Sequence, residues 1–333
     1  MLLVEESDFI DLHVDTFIPM RLWGYDPSKR HNLGLLRGRF AGHWDLPRMK
    51  EAGLSGAMWS VTTNPFRTQS GRYNTCKKNF DAFRRFVSKQ DDLAIVNSYR
   101  SYQHAKEDGK HAVLLSIQGG NALDGGLLDK GLPDPDLLRV TLLHLTHSKL
   151  GLSSSPWNAF WRKQPLTTLG EQTIERLNEK KIFVDLAHIH EKGFWRAMDV
   201  HQKDVPLLVT HTGVDGITPH WRNLTDEQIK AVADRGGVVG IMFHKLFLKN
   251  KLANQTEWVI QHLEHTLNVA GEDAVGIGTD YDGAVVPPLP FRSGASLPFL
   301  VDQMLVRGWS STRIKKILGL NFLRTLKDLR PDV

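Results

Sequence analysis

Residues 275–283 read VGIGTDYDG. A short apolar run, Val275–Gly278, leads to Asp280, and Asp282-Gly283 follows as a turn. The run has the length and β-branched content of a buried strand. The same order, apolar run first and chemically capable residue last, recurs along the chain. Phe9–His13 ends on His13 with Asp15 two residues on, and Ala112–Ile117 leads to Gln118. Val140–Leu145 carries His144 and leads to His147, Ile182–Leu186 leads to His188, and Leu207–Thr210 leads to His211. With Gly56–Val61 and Val238–Phe243 the runs number eight.

Helical periodicity fills most of the gaps, at 74–89, 167–180, 225–235 and 255–270, with Thr225 placed to cap the third. Two more helical stretches, 298–307 and 311–329, follow the last run. Near-continuous apolar strands alternating with helices predict a parallel sheet covered on both faces. Eight repeats fit an α/β fold of the (β/α)8 TIM-barrel type, of the metal-dependent hydrolase kind, as one domain over residues 1–333. Closure brings the carboxyl ends of all the strands to one face, where the polar residues converge; an open sheet gathers only some of them.

The bulk numbers agree. A hydrophobic share of 41% with 24% charged residues is that of a soluble chain with a substantial core. The net charge of +5 is spread along the chain, with denser stretches at 21–39 and 77–85 that read as solvated faces rather than a nucleic-acid surface, the first also suiting a substrate-facing loop that attracts a carboxylate. One cysteine, Cys76, excludes an intrachain disulfide. With an acidic amino terminus and no membrane-length apolar stretch, a cytoplasmic protein without membrane or nucleic-acid partners is expected. Long loops follow the first, third and fourth runs, and their Trp23, Trp157 and Trp161 suit either pocket walls or loop packing.

His13-Val14-Asp15 is a His-x-Asp at a strand end, and residues two apart on a strand point the same way. Joined by His188 and His211, the pair offers imidazole and carboxylate donors suited to zinc. Asp280 is placed to accept and return a proton, whereas Asp282 serves the turn. His147, in LTHS (145–148), is placed to steady an oxyanion, and His144 reads as core. Arg222 presents a planar fork suited to a substrate carboxylate.

In order and spacing, HVD (13–15), DLPRM…GAMWS (45–60), LTHS (145–148), VDLAH (184–188), VTHT (209–212), RNLTD (222–226), GIGTDYDG (276–283) and LGLNFLR (318–324) resemble the membrane (renal) dipeptidase family over nearly the whole chain. The resemblance implies a (β/α)8 barrel with two zinc ions. It assigns one ion to His13 and Asp15, the other to His188 and His211. It makes His147 and Arg222 substrate contacts and Asp280 the acid/base. It also implies cleavage of dipeptides, often with a D-residue at the C-terminal position, and a homodimer.

One position departs. The family's third strand ends in a glutamate that joins both ions; here SIQGGN (116–121) puts Gln118 in its place. Two divalent ions about 3.5 Å apart repel by roughly 20 kcal/mol at an effective dielectric of 20. A carboxylate offsets much of this, whereas an amide offers one carbonyl oxygen, no charge and an NH2 that cannot ligate. Three outcomes stay open: one ion on either side, two weakly held ions joined by water or substrate, or none. Three functions stay open with them: a zinc dipeptidase, a binding relative without turnover, and an amidohydrolase of another small amide or ester.

Overall fold

The computed structural model describes residues 2–34, 38–64, 67–145, 148–156, 158, 164–249 and 254–332. Among the described residues there are nine parallel strands: β1 (Ile10–Val14), β2 (Gly56–Thr62), β3 (Leu93–Val96), β4 (His111–Gln118), β5 (Arg139–Thr141), β6 (Phe183–Asp185), β7 (Leu208–Thr212), β8 (Val238–Ile241) and β9 (Val275–Ile277). Eight form the path β1-β2-β4-β5-β6-β7-β8-β9. A parallel contact of Val14 with Tyr281, flanked by Asp280 N–H to His13 O (3.1 Å) and Asp15 N–H to Tyr281 O (2.8 Å), joins its two ends. The (β/α)8 barrel expected from the eight runs is the fold observed.

Strand β3 is the addition. It pairs with the first half of β4 (Leu93 with His111), while β5 pairs with the second half (Ser116 with Arg139) on the barrel path. The fourth run is shorter than its apolar content suggests: β5 ends at Thr141, and residues 142–145 leave the sheet.

Helices are present in every stretch that showed helical periodicity, and Tyr99–Glu107 and Glu191–Val200 are helices that the periodicity did not mark. Asp226–Asp234 starts at Thr225, whose side chain accepts from Gln228 N–H in a reciprocal capping box. Gln255–Ala270 matches its expected span, and the stretch expected as one helix over 311–329 contains a π-helical segment, Lys316–Leu320. There a Cβ on Gly319 would meet Asp8 O at 2.1 Å, so only glycine lets the segment approach the start of β1. Core side chains such as Trp59, Phe83, Phe183 and Phe243 are wholly buried. That shell holds the carboxyl ends of the strands rigidly.

Candidate active site

Five of the predicted groups meet at the carboxyl-end mouth. The rings of His13 and His211 stack with centroids 3.9 Å apart. His13 Nε2 lies 3.5 Å from Asp15 Oδ2 and 3.6 Å from Asp280 Oδ1. His188 Nε2 lies 2.8 Å from His211 Nε2. Ligand atoms of His13, His211 and Asp280 all fall within 4.8 Å of one another, as a metal ion requires. Every member is buried, the most exposed being His188 at 7%.

Local backbone makes the cluster. His188 (φ 67°), Asp280 (φ 60°) and Asp282 (φ 68°) adopt left-handed conformations, each just past a strand end. Non-glycine residues in that region are costly and concentrate at functional sites. Gly283 lacks the Cβ that would lie 2.5 Å from Asp280 Oδ1 and 2.8 Å from Asp15 Oδ2, which leaves room for both carboxylates. Asp282 serves the turn as expected and also ties the first loop to the eighth. Its carboxylate accepts from Thr16 Oγ1 (2.6 Å) and His43 N–H (2.8 Å), and the His43 side chain together with these bonds holds its pKa below the usual carboxylate value despite burial.

Burial dominates the electrostatics. It pulls His13, His188 and His211 well below the ordinary histidine value, aided by the Arg222 charge, so all three rings are neutral. Neutral imidazole is the form that binds metal. Burial also raises Asp15 to about 8 and Asp280 well above the carboxylate range, each in the field of a second carboxylate. Two buried carboxyls whose pKa stays raised despite the nearby Arg139 and Arg222 charges, facing neutral rings, make a setting that a divalent cation would stabilise. The residues present fit a metal.

Arg222 is 3% exposed; its Nη2 donates to His211 O at 2.6 Å and its Nε finds no partner among the described residues. Burial lowers its pKa to about 10, so it stays charged. It lines a cavity of about 540 Å³ together with His188, His220 and Trp221. Another cavity, beside Lys50, Lys106 and Lys110 at the amino ends of the strands, holds none of the converging groups. His144 is half-buried, with its ring 4.7 Å from that of His188, so it supports the cluster rather than joining the deep core. Trp23 is 67% exposed. His147, Trp157 and Trp161 lie outside the described residues.

Sequence reasoning missed the layer beneath. Arg139, fully buried on β5, donates from Nη1 to Asp185 Oδ2 (2.9 Å). Its Nη2 contacts Ser60 Oγ (2.8 Å), Ser116 Oγ (3.0 Å) and His13 Nδ1 (2.9 Å). Asp185 also accepts from Thr210 Oγ1 (2.7 Å), which in turn faces His211 Nδ1 (2.9 Å). A lone arginine inside the apolar run LLRVTLL (137–143) was the available signal. Gln118, at the end of β4, lies inside the cluster. Oriented to satisfy both its ends, its nitrogen donates to Asp15 Oδ2 (2.8 Å) and Oδ1 (3.0 Å), and its oxygen accepts from His13 Nε2 (3.1 Å).

Comparison with known proteins yields one family: the profile for membrane dipeptidase, peptidase family M19, matches residues 2–330. A Klebsiella pneumoniae protein named "uncharacterized protein in pqqA 5'region" is 34% identical over 168 residues, 49% of this chain. The match spans 61% of that relative's length. Among solved structures, the probable dipeptidase PvdM from Pseudomonas aeruginosa superposes with a TM-score of 0.84 at 17% identity, covering 99% of this chain and 97% of that one. A metallo peptidase from Rhodobacter sphaeroides, liganded with a phosphinate mimic of the dipeptide L-Ala-D-Ala, gives 0.80 at 23% identity, covering 97% and 99%. At such identities the superpositions establish the fold.

Proposed function

The chain belongs to the membrane dipeptidase family, peptidase family M19, and from that premise we propose that it is a zinc-dependent hydrolase of dipeptides. The observation that carries the reading is the meeting of neutral imidazoles and buried carboxyls beside a buried, charged Arg222. His188 and His211 on one side, and His13 and Asp15 on the other, are the residues available to hold metal. When bound, the ion supplies Lewis acidity toward the scissile carbonyl and a lowered pKa for water.

The remaining work falls to this chain's own side chains. Arg222 holds the substrate's terminal carboxylate, because a desolvated guanidinium with a free Nε is a strong, directional partner for it. Asp280 takes a proton at its carboxylate and returns it to the leaving nitrogen; burial beside Asp15 raises its pKa, which helps it hold the proton between the two transfers. His147 steadies the oxyanion, the role its place in LTHS implies. Substrates with a D-residue at the C-terminal position, a cytoplasmic location and a homodimer belong to the same proposal. No helix among the described residues is long and apolar enough to cross a membrane.

A second reading, a binding protein without turnover, draws support from the Gln118 contacts to both His13 and Asp15. One assay separates the two: amino-acid release from L,L- and L,D-dipeptides, with zinc and with a chelator. Zinc-dependent release is expected, with C-terminally amidated dipeptides cleaved poorly. Arg222→Met raises KM for free-acid dipeptides about 100-fold, on the order of 3 kcal/mol, and leaves the amides unaffected. Silence across the panel from folded, zinc-loaded protein moves the assignment to the binding reading.

A further inference from the structure

We propose that the chain holds one divalent ion, bound by His188 and His211, and that the Gln118 amide occupies the His13–Asp15 half as a built-in substitute for a second ion. The inference rests on the proposed function only in that the cluster binds metal.

Proton positions carry it. A guanidinium has donors and no acceptor, so Arg139 Nη2, 2.9 Å from His13 Nδ1, makes that nitrogen the acceptor. The one proton of the neutral His13 ring then sits on Nε2, the atom facing the cluster. That N–H points at Gln118 Oε1, 3.1 Å away, and the Gln118 NH2 donates to both oxygens of Asp15 at 2.8 and 3.0 Å. The result is a continuous chain of donors and acceptors, Arg139 to His13 to Gln118 to Asp15, closed at every step. An ion entering this half finds a protonated nitrogen and a carboxylate already engaged through both oxygens. An amide laid between the two residues spans the gap that a cation otherwise fills.

The other half is wired in the opposite sense. Thr210 has one hydroxyl proton and gives it to Asp185 Oδ2 at 2.7 Å. Its oxygen therefore accepts from His211 Nδ1–H at 2.9 Å, which leaves His211 Nε2 a bare lone pair. That lone pair accepts from His188 Nε2–H at 2.8 Å, and His188 Nδ1, which has no partner among the described residues, is open to take the ring proton when an ion enters. His188 is thus free to turn its own lone pair to an ion. Asp280 faces the same space from a third side.

The test is metal stoichiometry of the full chain, measured by elemental analysis after equilibrium dialysis against micromolar zinc. Wild type is expected to hold one equivalent and Asp15→Asn one as well. His211→Ala is expected to hold none, and Gln118→Glu to gain a second. Two equivalents in wild type, none in wild type, or loss of the ion in Asp15→Asn overturns the proposal. Should Gln118→Glu fail to fold, side-chain ¹⁵N spectra of metal-free wild type give a second readout. An Nε2–H tautomer at His13 with an Nδ1–H tautomer at His211 supports the proposal, and the reverse pair contradicts it. Dipeptide cleavage is scored separately. One ion without cleavage removes the proposed function and leaves this inference standing; two ions with cleavage does the opposite.

Discussion

The two sides of the cluster share a stacking contact, the His13 and His211 rings at 3.9 Å, yet face the central space with opposite polarity. On the His13 side a buried arginine fixes the proton outward and Gln118 receives it. On the His211 side a threonine–aspartate relay draws the proton inward, so a lone pair faces out. The inventory of potential ligands is nearly symmetric. What differs is the residue behind each ring: Arg139 in one case, Thr210 with Asp185 in the other. A metal site is defined as much by where its ligands' protons are held as by which ligands are present.

The largest effect that could break this comparison comes from removing one ring at a time. His211→Ala should abolish bound zinc and lower kcat/KM for dipeptides by about 1,000-fold or more, the scale of losing a catalytic metal. His13→Ala should keep the ion and lose far less activity. Equal losses in the two variants would mean that the halves are equivalent. Next is the arginine that sets the asymmetry. Arg139→Met leaves Asp185 buried without its partner and should cost about 3–5 kcal/mol, read as a lower denaturation midpoint. A loss below about 1 kcal/mol would show that Arg139 is not the organising charge.

How much of this was legible in the sequence follows from how local each feature is. The eight runs, and the polar residues past their ends, depend on patterns a few residues long, and the barrel follows from them. Strand β3 escaped because Leu93–Val96 is short and carries no reactive residue at its end. The helix expected from residue 74 begins at Gln69, capped by Thr68, because its first turn, QSGR, is polar and hides the periodicity. His13, Asp15, His188, His211 and Asp280 were readable as ligands and proton carriers, and Gln118 as the odd member. Its effect was not readable. That depends on Arg139 reaching Ser60, Ser116 and His13 across three other strands, and on a threonine hydroxyl whose proton is committed to Asp185.

The smallest expected effect sharpens the comparison by serving as its control. His262, fully buried outside both halves, accepts from Val214 N–H at 2.9 Å, and burial lowers its pKa to about 3. The unfolded chain takes up that proton near pH 6.5 and the folded chain does not, so the stability this residue contributes declines as pH falls from 6.5 toward 3. The advantage of wild type over His262→Gln in urea midpoint should therefore shrink between pH 7 and pH 4, with metal bound or removed alike. A constant difference across that range would show that His262 titrates as an exposed histidine does.

The most direct measurement is an anomalous-scattering map at the zinc edge from crystals grown with zinc. One peak per chain within coordination distance of His188 Nε2 and His211 Nε2, with the Gln118 amide between His13 and Asp15, is the expected result. A peak held by His13 and Asp15, alone or as one of a pair, would contradict it.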